Sequence, residues 1–310
     1  ASIPSVSGRT IPVIDPSDGQ PFDELQRSNA HDIDTAVRAA RQCYEAVWSK
    51  LSAAERGRLL MKLSAKVAEH ADELAALEQR DCGKPTKQAR ADAVALVRYF
   101  EFYAGACDKL HGETMPLGPD HLGYTFAEPV GVAAQIIPWN YPLSTLARGL
   151  APALAAGCAV VAKPAEQTPL TALMLADLMT RAGLPPGVFN VVTGTGAAAG
   201  APLVAHPGVD HITFTGSVAT GMGVMKAAAD HVTRLVLELG GKSPVIVLGD
   251  ADLDAALEGV LGAIFENAGQ ICSAGSRLIV ERSVHAGFVG RLAERARAMR
   301  LGHGLGQCDM

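Results

Sequence analysis

One thiol in this sequence stands in a setting suited to covalent chemistry. Cys272 lies in Asn267-Ala-Gly-Gln-Ile-Cys272-Ser-Ala-Gly-Ser-Arg277, between two glycines that allow the backbone to approach a ligand closely. A thiol near its ordinary pKa is mostly protonated at neutral pH, so a nucleophilic Cys272 needs partners that raise its thiolate fraction and hold the charge that follows. Two residues have suitable types. Glu238, in Leu235-Val-Leu-Glu238-Leu-Gly-Gly241, ends an apolar run, where burial would lift a carboxyl toward the range useful to a general base. Asn140, in Ile137-Pro-Trp-Asn140-Tyr-Pro142, sits in a loop stiffened by proline on both sides. A fixed amide N–H aimed at a developing alkoxide contributes about 3 kcal/mol. Taken singly, each has a plainer explanation: a core thiol (the reading that suits Cys158), a glutamate on an edge strand, and a turn asparagine bonded to its own backbone.

Two further segments suit a nucleotide. Phe214-Thr-Gly216-Ser217 places glycine at a strand-to-helix turn, where helix N-terminal amides attract phosphate, although it is not a GxGxxG fingerprint. Val161-Ala-Lys163-Pro-Ala-Glu166 puts a lysine and an acid three residues apart after another strand, fit for ribose hydroxyls or for a solvated ion pair.

These residues need elements to hold them. From Ile33 to about Leu110 the pattern is helical: Val37, Ala40 and Val47 continue a stripe, Ser52 and Glu55 form a capping box, and a break falls near Gly83-Lys-Pro85. After Leu117 short apolar runs alternate with helical patterns. Strands are expected at Val132–Ile137, Ala159–Ala162, Val188–Val192, Ile212–Phe214, Leu235–Leu237 and Val245–Leu248. Helices are expected at Ser144–Ala156, from a Thr168-Pro169 start, at Ser217–Ala229 and at Leu253–Glu266. Alternating β and α units predict an α/β fold with a parallel, doubly wound sheet, in which ligands sit at the carboxyl ends of the strands.

Composition fits. The 310 residues carry a formal charge of −5 and are 48% hydrophobic, which opposes both a large basic nucleic-acid surface and disorder. Six cysteines without a CxxC pair read as reduced, cytoplasmic thiols rather than a disulfide framework. The charge-poor stretch Glu128–Lys163 is broken by Pro138, Pro142 and Pro152, so it reads as buried strands and a helix, not a membrane span. No metal site and no signal peptide are expected.

Together the motifs PWN (Pro138–Asn140), KPAEQTP (Lys163–Pro169), FTGS (Phe214–Ser217), ELGGKSP (Glu238–Pro244) and GQICSAGSR (Gly269–Arg277) resemble, in order and spacing, the aldehyde dehydrogenase superfamily of the NAD-dependent, hydrolytic type. The resemblance extends over essentially the whole chain. It implies a Rossmann-type NAD-binding domain over 1–120 and 141–240, an oligomerisation strand segment over 121–140, and the start of a catalytic domain over 241–310. It also implies roles: Cys272 as nucleophile, Glu238 as general base, and Asn140 as oxyanion donor with the Cys272 backbone N–H. Lys163 and Glu166 would contact the adenosine ribose, with Ile137, Pro138, Trp139, Gly196, Gly216, Ser217, Leu239 and Gly240 along the cofactor cleft.

The implied reaction runs from aldehyde to carboxylic acid through a thiohemiacetal and a thioester on Cys272. A carboxylate at Glu166 favours NAD over a cofactor bearing a 2′-phosphate, and Glu238 favours hydrolysis over acyl transfer to coenzyme A. Arg148, two helical turns beyond Asn140, resembles a carboxylate-binding position and points to an anionic semialdehyde or an aromatic aldehyde. Tyr141 and the Ile271-Cys272-Ser273 run resemble betaine and amino-aldehyde dehydrogenases, whose aromatic box takes a cation. Relatives continue well past Met310. Two expectations therefore stand side by side: a homodimeric or homotetrameric enzyme when full length, or a nucleotide-binding or assembly module without turnover. An unrelated Rossmann reductase does not account for the motif order.

Overall fold

The computed structural model describes residues 4–302. It begins with two strands that the helical stripe did not announce: Thr10–Ile14 (β1) and Pro21–Gln26 (β2) pair antiparallel and bury Val13 and Leu25 against Leu170. Helix Ala30–Ala46 (α1) follows, its start fixed by a reciprocal box between Asn29 and Asp32. Ser52 and Glu55 cap Ala53–Glu69 (α2) in the same way, as their spacing predicts. Ala71–Cys82 (α3) ends on Gly83 at φ +70°, a left-handed turn that glycine adopts without steric cost. Thr86–Ala106 (α4) completes the helical third.

A short hairpin, Thr114–Met115 (β3) with Gly123–Tyr124 (β4), precedes the alternating part. There the order is Val132–Ile136 (β5), Pro142–Ala156 (α5), Ala159–Lys163 (β6), Leu170–Arg181 (α6), Phe189–Val191 (β7), Ala201–Val204 (α7), His211–Gly216 (β8), Val218–Ala229 (α8) and Arg234–Leu239 (β9). The five strands form one parallel sheet in the order β7-β6-β5-β8-β9. Strand β5, inside the segment expected to serve oligomerisation, is the central strand of that sheet.

Sheet position explains the residue types. Strands β5 and β6 are covered on both faces and are almost continuously buried, as parallel interior strands must be. On one face Ala133, Val160 and Ala162 pack under α2 to α6. On the other, Val132, Ala134, Val161, Ile212 and Phe214 pack with Ile33 and Val37 of α1 and Val224 of α8. Gln135, buried in β5, donates to the carbonyls of Thr145 (2.9 Å) and Leu146 (3.1 Å). A Cβ at Gly149 would fall 2.3 Å from its amide, so glycine is what lets α5 lie this close to the sheet.

Beyond β9, Pro244–Val247 (β10) pairs parallel with Arg277–Val280 (β11), and Leu253–Phe265 (α9) and His285–Arg297 (α10) close a small separate core around Val260 and Phe288. The start of α6 differs from expectation. Pro169 occupies the cap position, the Thr168 hydroxyl is buried without a partner among the described residues, and the Leu170 N–H donates instead to Asp81 of α3 at 2.9 Å. A carboxyl group from another element has taken the capping role.

Candidate active site

Parallel register aligns the carboxyl ends of four strands along one edge. Ile136 stands opposite both Lys163 and Phe214, and Gly216 stands opposite Leu239. The chain winds outward from β5 to β7, then returns to β8 on the other side of β5. Between β5 and β8 lies the switch point, outside which open α/β sheets bind ligands. Ile137–Asn140 leaves β5 there, and Gly216–Ser217 leaves β8. The Gly240 N–H donates to the Gly216 carbonyl at 3.3 Å, which sets Leu239 and Gly240 beside the same crevice.

Polar groups stand at the carboxyl ends of β6 and β8. Lys163 ends β6 almost fully buried, and its Nζ donates to Glu166 Oε2 at 2.9 Å. Burial pushes the Glu166 carboxyl up. The Lys163 hydrogen bond, its own backbone and the Gly196 N–H outweigh that and hold it below the usual carboxylate range. An ionised carboxylate accepts from vicinal hydroxyls, and the ammonium beside it donates to them. Ser217 caps the twelve-residue α8, whose first amides face the crevice end of β8. These groups fit a dinucleotide: ribose hydroxyls at Lys163 and Glu166, phosphate near Gly216 and Ser217. Trp139 is 45% exposed, and its carbonyl accepts from the Cys82 thiol at 3.4 Å.

The cysteine loop lies against Asn140. After α9 the chain makes one tight turn, Glu266–Gly269, in which Asn267, Ala268 and Gly269 all have positive φ, at +50°, +57° and +76°. Asn140 Nδ2 donates to the Gln270 carbonyl at 2.6 Å, two residues before Cys272. A Cβ at Gly241 would lie 3.6 Å from the Cys272 carbonyl oxygen. The segments carrying Asn140, Glu238 and Cys272 are thus adjacent, though 98 and 34 residues separate them in sequence (238 − 140; 272 − 238).

Cys272 is exposed, whereas Cys43, Cys107 and Cys158 are buried, and burial pushes those three thiols up. Cys308 lies outside the described residues. Glu238 differs from expectation in being exposed. Strand β9 is an edge strand: Leu235, Leu237 and Leu239 are half-buried and face the core, and Val236 and Glu238 face the open side.

The loop after Asn140 rests on a buried ionic cluster that the motifs did not reveal. Lys84 Nζ, fully inaccessible, donates to Glu78 Oε1 and Asp92 Oδ2, each at 2.7 Å, and sits 4.4 Å from the Tyr141 ring centre. Glu78 Oε2 accepts from the Leu143 N–H at 3.4 Å, at the start of α5. The Tyr141 hydroxyl is buried with no partner among the described residues. Burial, then the charges of Glu266 and Asp92, push its pKa up against Lys84. Arg148 lies on α5, exposed, with no ion pair to another described residue. The signals that mark this cluster in sequence are Lys84 between Gly83 and Pro85, and Glu78 on an otherwise core-facing helical stripe. No group of three or more metal-ligating side chains is found among the described residues, nor a helix long and apolar enough to cross a membrane.

Comparison with known proteins gives a consistent picture. The model of the aldehyde dehydrogenase family matches residues 3–310. Retinal dehydrogenase 2 of Homo sapiens is 47% identical over 302 residues, 96% of this chain and 58% of that protein. Hydroxyisobutyraldehyde dehydrogenase of Mycolicibacterium austroafricanum is 45% identical over 300 residues, 97% of this chain and 59% of that protein. The NAD+ complex of an aldehyde dehydrogenase from Bacillus cereus superposes with a TM-score of 0.98 at 43% identity, covering 99% of this chain and 63% of that one. The chain therefore spans a little under two thirds of the length of these relatives.

Proposed function

We propose, since this chain belongs to the aldehyde dehydrogenase family, that it carries the nucleophile, base, oxyanion donor and dinucleotide cleft of an NAD-dependent aldehyde oxidation. The observation that carries this reading is the 2.6 Å bond from Asn140 to the Gln270 carbonyl, which seats an amide at the mouth of the Cys272 loop. One amide hydrogen is spent on that anchor, and the second is left for substrate oxygen.

In this reading Cys272 loses its thiol proton to solvent, and the thiolate sulfur bonds to the aldehyde carbon. The carbonyl oxygen takes the negative charge, held by Asn140 and the Cys272 backbone N–H. NAD, when bound, supplies what no side chain here offers, acceptance of a hydride from the substrate carbon. Glu238 removes a proton from the water that attacks the acyl carbon, the carbon–sulfur bond breaks, and carboxylic acid leaves. Exposure of Glu238 leaves it open to that water. Lys163 and Glu166 hold the ribose, and the ionised Glu166 disfavours a 2′-phosphate.

Arg148 on α5 directs the preference toward an anionic aldehyde, its guanidinium fork matching a carboxylate. Residues 1–120 and 132–240, with β5 at the centre of the sheet, serve the cofactor and 241–310 the cysteine. The exposed Leu117, Leu122, Tyr124 and Phe126 around the β3–β4 hairpin support self-association into a dimer or tetramer.

The test is a rapid-mixing measurement of NADH formation from an aldehyde, with intact mass of the quenched protein. The reading expects an acyl adduct on Cys272 and none in Cys272→Ala. NAD binding with neither NADH nor adduct would instead favour a nucleotide-binding module.

A further inference from the structure

Asn267 is buried, with 4% of its surface exposed, at a point where the backbone is left-handed for three residues in succession. Asparagine tolerates that conformation and alanine does so only at a cost of about 1–2 kcal/mol, so the turn persists because its surroundings hold it. The holding contacts are specific. Asn267 Nδ2 donates to the Asn140 carbonyl at 3.1 Å and to the Gln270 carbonyl at 3.5 Å. Gln270 Nε2 returns to the Asn267 carbonyl at 3.3 Å. Asn140 Nδ2 closes the ring on the same Gln270 carbonyl.

The Gln270 carbonyl therefore accepts from two amides, one on each side of the crevice. From this geometry we infer that Asn267 is a positioning residue: its side chain clamps the loop that carries Asn140 to the loop that carries Cys272, and so fixes the oxyanion donor relative to the sulfur. The inference rests on the catalytic reading of Asn140 and Cys272 given above. Without Asn267 the Asn140 backbone loses its tie to the cysteine loop, and the Asn140 side chain alone must hold the register. A displacement near 1 Å of a group that must meet a transition state costs about 10²-fold in rate.

Three variants separate the possibilities. Asn267→Asp keeps the size and the left-handed tolerance but removes both donors. Asn267→Gly keeps the backbone conformation without any side chain. Asn140→Ala removes the donor itself. For the first two, the NADH burst from an aldehyde should slow about 10²-fold while NAD affinity stays within about twofold. Combining Asn267→Asp with Asn140→Ala should slow it little beyond Asn140→Ala alone, because both act on one interaction. Amide hydrogen exchange should rise together in residues 137–142 and 266–272 of Asn267→Asp and not in the strands β6 and β8, a readout independent of turnover.

A burst in Asn267→Gly equal to that of the parent overturns the inference, since backbone shape alone would then suffice. Exchange unchanged in 137–142 overturns it as well. A burst unaffected in Asn140→Ala defeats the underlying catalytic reading instead, and one lost in Asn140→Ala but intact in Asn267→Asp defeats only the role of Asn267.

Discussion

Lys84 holds its ammonium group 4.4 Å from the centre of the Tyr141 ring, wholly out of solvent and between two carboxylates. Burial alone would lower its pKa. The charges of Glu78 and Asp92 outweigh that and keep it protonated. The cluster joins α3 and α4 to the start of α5, directly behind the loop that carries Asn140.

Removing the cation strands two buried carboxylates, which is costlier than removing the whole set. Lys84→Met is expected to lower unfolding free energy by about 3–5 kcal/mol, measured by urea denaturation. The triple change Lys84→Met, Glu78→Gln, Asp92→Asn should recover most of the loss. If the single variant were as stable as the parent, the cluster would have no structural weight.

Asp81 gives a pH signature. Burial pushes its carboxyl up to about 8, partly offset by the Leu170 N–H it accepts. The folded value lies above the unfolded one, so between about pH 4 and 8 the folded chain keeps a proton that the unfolded chain releases. Its contribution is complete below about pH 4 and is lost as pH rises through 8, with a slope of up to about 1.4 kcal/mol per pH unit. Asp81→Asn should flatten that part of the stability profile in thermal melts. An unaltered slope would remove Asp81 as its source.

Glu166 is expected to set cofactor preference. Glu166→Gln removes the negative charge and leaves the amide to donate to a phosphate. Fluorescence titration should show NADP affinity rising about tenfold relative to NAD, a change of about 1.4 kcal/mol. A ratio that does not move would place the discrimination elsewhere.

Arg148→Trp tests substrate charge. Loss of the guanidinium should reduce the preference for an acidic over a neutral aldehyde by about tenfold in kcat/KM, the order expected for one charge-assisted contact. Equal preference before and after the change would free α5 of that role.

Ala268 carries a left-handed backbone without the side chain to favour it. Ala268→Gly should therefore stabilise the chain by about 0.5–1 kcal/mol, the strain removed less the entropy that glycine adds. A lower melting temperature would mean that the turn is not strained.

Much of the fold could be read from local pattern. The uninterrupted apolar runs of β5 and β6 announce interior parallel strands, and Ser52 with Glu55 marks a helix start wherever it occurs. The misses share a cause in tertiary structure. Strand β1 is short and contains Pro12, so it carries no strong periodic signal by itself. Thr168 has the type of a cap, yet Asp81, 89 residues from the Leu170 N–H that it accepts, performs that task. Glu238 ends an apolar run but lies on the open face of an edge strand, and no local sequence records which face is covered. Cys272, Glu238 and Asn140 stand out by residue type and local setting, and the roles proposed for them come from the family resemblance that their motifs carry. The clamp at Asn267 leaves no local mark, and Lys84 and Glu78 mark a place without revealing their pairing, because each arrangement is defined by partners from separate elements.

The distribution of sulfur has a practical corollary. Three of the five described cysteines are sealed inside the helical and sheet cores, and Cys82 is half-buried with its thiol pushed well above its usual range by burial. An electrophilic dye or spin label added to the folded chain therefore meets a single open target among them, at Cys272. Once Cys308 is replaced by serine, the molecule brings its own reporter handle, attached where the chemistry is proposed to occur.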